Sequence, residues 1–257
     1  MTNKQKFSSQ SLTNSISGVK FLSMDGLHLL YKKKNSRLFD DWPETYDRWF
    51  TTPIGTLVKK YEEELILDLL RPLPGEIILD AGCGTGVFTL DILSFGADVI
   101  GLDISLPMLM RAAQKAKEYP FQMVLADMSN LPFQKNSFDK VVSITALEFI
   151  KDAKDAVREL FRVTKKGGCV VVATLNSLSP WASRRKAEAR KGHRLFEKAI
   201  FRSPDELRSL APVEGIIRTA VHFQKEDKPD RVPEIELDGQ RKGLSNGAFL
   251  AARWEKP

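Results

Sequence analysis

At 257 residues, 42% hydrophobic and 28% charged, the chain has the size and composition of one large globular α/β domain with additions, which excludes a fibre, a small disulfide scaffold and a wholly disordered polypeptide. No apolar run reaches the ~18 residues that a membrane span requires, and residues 1–17 are polar with no apolar leader core, so a cytoplasmic protein is expected. The formal net charge of +6 is concentrated in residues 181–198, where seven basic side chains stand against two acidic ones.

Residues 1–40 read as an amino-terminal extension, polar at first and partly flexible, with a basic cluster at Lys32, Lys33 and Lys34. Residues 41–257 are expected to form a single domain. It opens on the most aromatic stretch of the chain, residues 41–50. From Leu57 to Leu69 apolar residues then recur at helical spacing, until Arg71-Pro72-Leu73-Pro74-Gly75 stops that helix. The continuous run Ile77-Ile78-Leu79 predicts a parallel strand buried on both faces. It ends in Asp80, followed by Gly82, Gly84 and Gly86 in a tight turn and a helix predicted from Thr85 onward.

Four further strand signals follow, at 98–103, 121–126, 138–144 and 169–174, separated by helical signals at 106–117 and 153–164. Ser105 is placed to cap the first of those helices, with Pro107 in its first turn. Beyond Asn176, residues 181–191 predict an exposed basic helix, and Ser203-Pro204-Asp205-Glu206 has the form of a capping box. Residues 215–221 and 248–254 are the sixth and seventh strand signals, and the polar stretch 225–246 between them reads as a long loop, or as a loop holding a short helical piece. Alternating strands and helices predict a parallel sheet with helices on both faces. A cofactor-binding core at 75–176 and acceptor-side elements at 41–60 and 177–247 complete the expected organisation.

The carboxyl ends of successive strands in such a sheet share one edge, so Asp80, Asp103 and Asp127 converge on one crevice. The distance from Gly86 to Asp103 suits a carboxylate that accepts both hydroxyls of a ribose. Glycine spacing of the form G-x-G-x-G departs from the dinucleotide fingerprint, and Val87-Phe88 stand where a Walker loop needs Lys-Ser/Thr. Cys83 and Cys169 suggest neither a disulfide nor a zinc site, and Cys83 reads as a small residue filling the turn.

Asp80-Ala81-Gly82-Cys83-Gly84-Thr85-Gly86 resembles the first motif of the class I S-adenosylmethionine-dependent methyltransferases. Ala126-Asp127-Met128-Ser129-Asn130-Leu131-Pro132-Phe133 with Ser137-Phe138-Asp139-Lys140-Val141-Val142 resembles the second, and residues 160–168 resemble the third. The likeness covers residues 46–175 and is to the type 11 group, which includes quinone C-methyltransferases. It implies a Rossmann-like, seven-stranded, mostly parallel sheet carrying a basic helical insertion after the fifth strand. It also implies S-adenosylmethionine as cofactor, S-adenosylhomocysteine as product, and no metal.

By the same resemblance, Asp80, Gly82, Cys83, Gly84, Thr85 and Gly86 abut the methionyl part and Asp103 holds the ribose. Asp127 and the Met128 backbone read adenine between Ile104 and Met108, and Thr145 sits beside the sulfonium. Tyr46, Trp49 and Phe50 are expected to form a lid or, equally, to pack the first helix on the sheet. Glu148 and His222 are candidates for acceptor-side proton transfer, Glu148 having an alternative reading as a carboxylate at a helix start. A small-molecule acceptor is expected. The basic 181–198 helix keeps open an RNA or protein acceptor, contact with an anionic surface, and a protein that binds the cofactor without transferring its methyl. The Asn/Asp-Pro-Pro-Tyr/Phe turn of amino-methylating enzymes is replaced by Ile144-Thr145-Ala146-Leu147.

Overall fold

The computed structural model describes residues 37–257. The basic cluster at Lys32–Lys34, His28 and most of the expected flexible extension lie outside the described residues. Seven strands, β1 Ile77–Ala81, β2 Asp98–Asp103, β3 Phe121–Leu125, β4 Phe138–Ile144, β5 Thr164–Leu175, β6 Gly215–Ala220 and β7 Phe249–Glu255, make one sheet in the order β3-β2-β1-β4-β5-β7-β6. Strands β1 to β5 pair in parallel, and β7 runs antiparallel to both β5 and β6. The winding reverses between β1 and β4, and the carboxyl edge there is where such sheets open a crevice.

Alternate residues of β1 feed two different cores, which is why its apolar run is unbroken. Ile78 packs with Ile66, Leu70 and Ile92 on one face, under the helices α2 Pro53–Leu70 and α3 Thr89–Leu93. Leu79 packs with Val157 and Leu160 of α5, Ala153–Val163, on the other. Each of these fully buried side chains contributes roughly 1.5–3 kcal/mol by leaving water. Helix boundaries follow the capping residues: Thr52 accepts from the Gly55 amide at the start of α2, and Ser105 from that of Met108 at the start of α4, Leu106–Lys115. The expected capping box at Ser203 and Glu206 opens α8, Pro204–Arg208, with both reciprocal hydrogen bonds formed.

Four elements differ from the sequence expectation. The helix after the glycine turn begins at Thr89 rather than Thr85, because Gly86 has φ +76° and no right-handed helix can start before it. Strand β5 begins at Thr164, which pairs with Phe138, and a register shift absorbs the glycines before Cys169. The polar 225–246 stretch contains a ten-residue helix, α9 Val232–Arg241, whose buried residues Val232, Glu236 and Gly239 form a stripe only one side chain wide. A stripe so narrow and partly charged carries no hydrophobic periodicity. Finally, the basic segment is two helices, α6 Pro180–Ala189 and α7 Arg194–Lys198, and α6 is not simply exposed, since Trp181 and Ala182 are buried in the core. Among the described residues no helix is long and apolar enough to cross a membrane.

Candidate active site

Strand register sets the three acids in a staircase. Asp80 aligns with Gly101, two residues short of Asp103, and Asp103 aligns with Leu125, two short of Asp127. Each therefore stands further out than the last, and their exposure follows: Asp80 buried, Asp103 half-buried, Asp127 exposed. All three line a cavity of 610 Å³ at the carboxyl edge.

The glycine turn forms the floor of this cavity. The Gly82 and Cys83 amides both donate to the Leu102 carbonyl, at 2.6 and 3.0 Å, which ties the turn to the end of β2. A Cβ on Gly82 would lie 2.4 Å from the Ala146 Cβ, with φ at +81°, so only glycine fits. Asp103 accepts from the Gly84 amide at 2.9 Å and the Ser105 amide at 2.8 Å. Burial pushes its carboxyl up, against those amides and the Arg37 charge. Deeper in, burial raises Asp80 to about 7 while the Thr89 hydroxyl donates to it at 2.6 Å. Burial also lifts the Cys83 thiol well above its ordinary value, so it is no thiolate nucleophile.

On the outer wall Asp127 accepts from the Ser129 amide at 2.8 Å, beside buried Met128. Met108 is buried below, whereas Ile104 stands 39% exposed at the rim. Thr145 has φ +47° and donates its amide to the Ala173 carbonyl at 2.9 Å. A non-glycine residue held in this region is strained, and its place at the cavity wall is where such strain concentrates.

Helix α1, Pro43–Phe50, contributes Tyr46 to the lining of the cavity. Its Asp47 accepts from the Thr85 hydroxyl at 2.6 Å, from Lys115 at 2.6 Å and from Arg111 at 2.8 Å. Burial alone would raise this carboxyl, but the three donors outweigh it and hold Asp47 low. On the residue before it, the Tyr46 phenol is hydrogen-bonded to the Thr145 side chain and kept protonated by its burial.

Tyr46, Thr145, Phe39 and Phe149 also border a second cavity of 310 Å³. Its remaining walls include Trp42, Trp49, Phe50, Trp181 and Phe196, interrupted by Glu62, Glu148, Arg185 and His193. Glu148, on the 3-10 turn Leu147–Phe149, is 1% exposed and accepts from the Thr174 hydroxyl at 3.2 Å. Burial pushes it to about 7 and Glu62, on α2, to about 8.

Of the residues singled out from sequence, Asp80, Gly82, Cys83, Gly84, Asp103, Ile104, Met108, Asp127, Met128 and Thr145 line the first cavity. Thr85 and Gly86 do not. The first engages Asp47, and the second packs against Ala112 of α4. Tyr46 borders both cavities, and Trp49, Phe50 and Glu148 line the second. His222 lines neither: its Nδ1 meets Glu236 at 3.2 Å and its Nε2 meets Thr219 at 3.1 Å, in the packing of α9 against β6. That placement removes it from proton transfer at the site. Sequence reasoning missed Asp47, Phe39, Glu62, Arg185 and His193, which belong to helices and a turn whose docking on the sheet no local pattern reports.

A reversed parallel sheet with an acid-glycine turn and two stepped acids at its switch point defines a Rossmann-like, cofactor-binding transferase fold. A methyltransferase domain model matches residues 79–172. An uncharacterized protein of Methanocaldococcus jannaschii is 30% identical over 222 residues, which are 85% of this chain and 98% of that protein. Demethylmenaquinone methyltransferase of Renibacterium salmoninarum is 34% identical over 137 residues, 53% of this chain and 56% of that enzyme. The chain thus spans little more than half the length of the quinone-methylating relatives it matches. A crystal structure from Thermotoga maritima, described as a SAM-dependent methyltransferase and possible histamine N-methyltransferase, superposes with a TM-score of 0.63 at 26% identity, covering 85% of this chain and 98% of that one. The chain belongs to the class I S-adenosylmethionine-dependent methyltransferases.

Proposed function

We propose that the protein transfers a methyl group from S-adenosylmethionine to a small molecule enclosed in the aromatic cavity. The observation that carries this reading is the adjacency of the two cavities, which share Phe39, Tyr46, Thr145 and Phe149 as a common wall. A donor site that gives onto a 310 Å³ cavity with aromatic walls suits a compact acceptor.

The residues present fit the cofactor. No atom lies within 4 Å of a Cβ position at Gly84, which leaves the turn bare for a ligand against its backbone. Asp103, fixed by two amides, would hold the ribose hydroxyls, and Asp127 with the Met128 main chain would read adenine, flanked by Ile104 and Met108. Asp80 supports the turn through Thr89 as well as lining the cavity.

When bound, the cofactor supplies a methyl group already activated on a sulfonium, so the chain's own work is largely positioning and exclusion of water. Tyr46 and Thr145 occupy the shared wall, and α1, anchored by Asp47, keeps solvent from it. Glu148 is placed to take a proton at a carboxylate oxygen from an acceptor that must lose one, because burial tunes it close to neutral pH. A C, N or O acceptor is compatible with these roles.

The test is transfer of label from methyl-labelled S-adenosylmethionine into fractionated cell extract. Label recovered in the small-molecule fraction, and lost with Asp103→Ala, is the expected result. Label in RNA or protein would overturn the small-molecule reading, and cofactor binding without transfer to any fraction would reduce the protein to a binder.

A further inference from the structure

The second cavity contains a cation without a partner. Arg185 projects from α6 with its guanidinium 5.4 Å from the Trp181 ring and 5.9 Å from the Phe196 ring. These faces stabilise positive charge but supply no hydrogen-bond acceptor in the guanidinium plane. Its Nη1 is sealed from solvent and makes no hydrogen bond, unlike the donors of neighbouring Arg184, which engages Glu226 at the surface. The Nδ1 of His193 is also buried and unpartnered, on a ring stacked 4.3 Å from Phe196. Buried polar atoms are nearly always satisfied, so a guanidinium donor and an imidazole nitrogen orphaned on one cavity mark the place of a ligand; the guanidinium calls for an acceptor, and Nδ1 joins it in the tautomer that carries its proton there.

The acids of the cavity do not fill that role. Glu62, Glu148 and Glu188, all in the cavity lining, act on Arg185 through space, yet among the described residues no ion pair or hydrogen bond joins it to any of them. Burial of Glu62 and Glu148 favours their protonated forms, pushing them to about 8 and about 7, so near neutral pH neither supplies a full counter-charge. An ammonium group would enter beside an uncompensated cation, whereas an anionic oxygen would be drawn to it.

We infer that the cavity seats an acceptor with a planar apolar body and a carboxylate-type oxygen anion, the anion held by the unpartnered Arg185 donor and by His193. Arg185 is in this account a specificity-determining residue. The inference rests on the methyl-transfer reading only for the word acceptor, because the anion site is defined by the cavity itself.

The experiment uses three probes of one ring size, benzoate, benzamide and benzylamine, titrated against the protein with and without S-adenosylhomocysteine. Quenching of tryptophan fluorescence reports binding, since Trp42, Trp49 and Trp181 line the cavity. Benzoate is expected to bind about tenfold or more tighter than benzamide, with benzylamine weakest. Arg185→Gln should abolish that order, and Arg185→Lys, which retains the charge without the planar fork, should keep part of it. Equal or tighter binding of benzamide or benzylamine, or no benzoate saturation below about 10 mM, overturns the inference. So does an unchanged preference in a folded Arg185→Gln protein, with folding checked by circular dichroism. If Arg185→Gln does not fold, the wild-type probe order and Arg185→Lys decide. Failure of S-adenosylhomocysteine to bind would instead count against the donor assignment, and the benzoate series in its absence would still be read.

Discussion

Replacing Glu62 by glutamine isolates the energetic consequence of burying an acid beside the aromatic chamber. Glu62 is 6% exposed, and burial carries its carboxyl from 4.5 to about 8, with the Glu148 charge adding to the rise and Arg185 opposing it. Between those two values the folded chain retains a proton that the unfolded chain releases. Stability must therefore be unaffected by this group below pH 4.5, fall as pH rises through the window, and lose nothing further above about 8. Within the window the slope is about 1.4 kcal/mol per pH unit, and the whole displacement is worth no more than about 5 kcal/mol. Glutamine keeps the shape and cannot ionise. Urea unfolding followed by circular dichroism, from about pH 5 to about pH 9, should give curves for wild type and Glu62→Gln that nearly coincide at the acid end. At the alkaline end the variant should be several kcal/mol more stable. Asp80 contributes a slope of the same sign that is common to both proteins and cancels in the difference, whereas Glu148, which interacts with Glu62, keeps its own slope in the variant without the Glu62 charge beside it. Parallel profiles would refute the reasoning: they would mean that ionised Glu62 is fully compensated, with Arg185 as its counterion.

Four other substitutions probe the glycine turn and α1. Asp47→Asn leaves Lys115, Arg111 and Thr85 without their shared anion, and should weaken S-adenosylhomocysteine binding about tenfold in calorimetry while costing about 1–3 kcal/mol of stability. Unchanged affinity and unchanged protease resistance of α1 would count against its closing role. Gly82→Ala places a methyl group against Ala146 at a strained backbone angle, and should abolish cofactor binding with a drop of several degrees in melting temperature. An alanine variant that binds normally would show that the turn tolerates movement. Tyr46→Phe and Trp49→Ala test the lid: turnover should fall about tenfold in the first through loss of the hydrogen bond to Thr145. If neither variant changes cofactor affinity or turnover, α1 merely packs the fold.

The sheet and the acids and glycines that line the first cavity were legible because their signals are local. Ile77-Ile78-Leu79 announces burial on both faces, and a glycine with positive φ leaves its mark as glycine. An acid at each strand end needs only the topology to bring it to the crevice. The acceptor half is built differently. Glu62 falls on the buried stripe of α2, four residues after Val58 and four before Ile66, but a carboxylate inside the charged run Lys59 to Glu64 reads as solvated, like Glu63 and Glu64, which are not buried. Arg185 lies among basic neighbours, and only the docking of Trp181 turns it inward. His222 shows the converse: a lone histidine in the right half of the chain looks functional until Glu236, from a helix that the sequence hides, claims its ring.

The shared wall has a thermodynamic consequence. Because Tyr46 borders both chambers and Asp47 of the same helix is fastened to the glycine turn, neither ligand can settle or leave without acting on α1. A ligand that tightens α1 spares the other that cost, and such coupling is reciprocal. The factor by which S-adenosylhomocysteine strengthens benzoate binding must equal the factor by which benzoate strengthens S-adenosylhomocysteine binding. On the proposed reading, helix α1 makes donor and acceptor report on each other's presence.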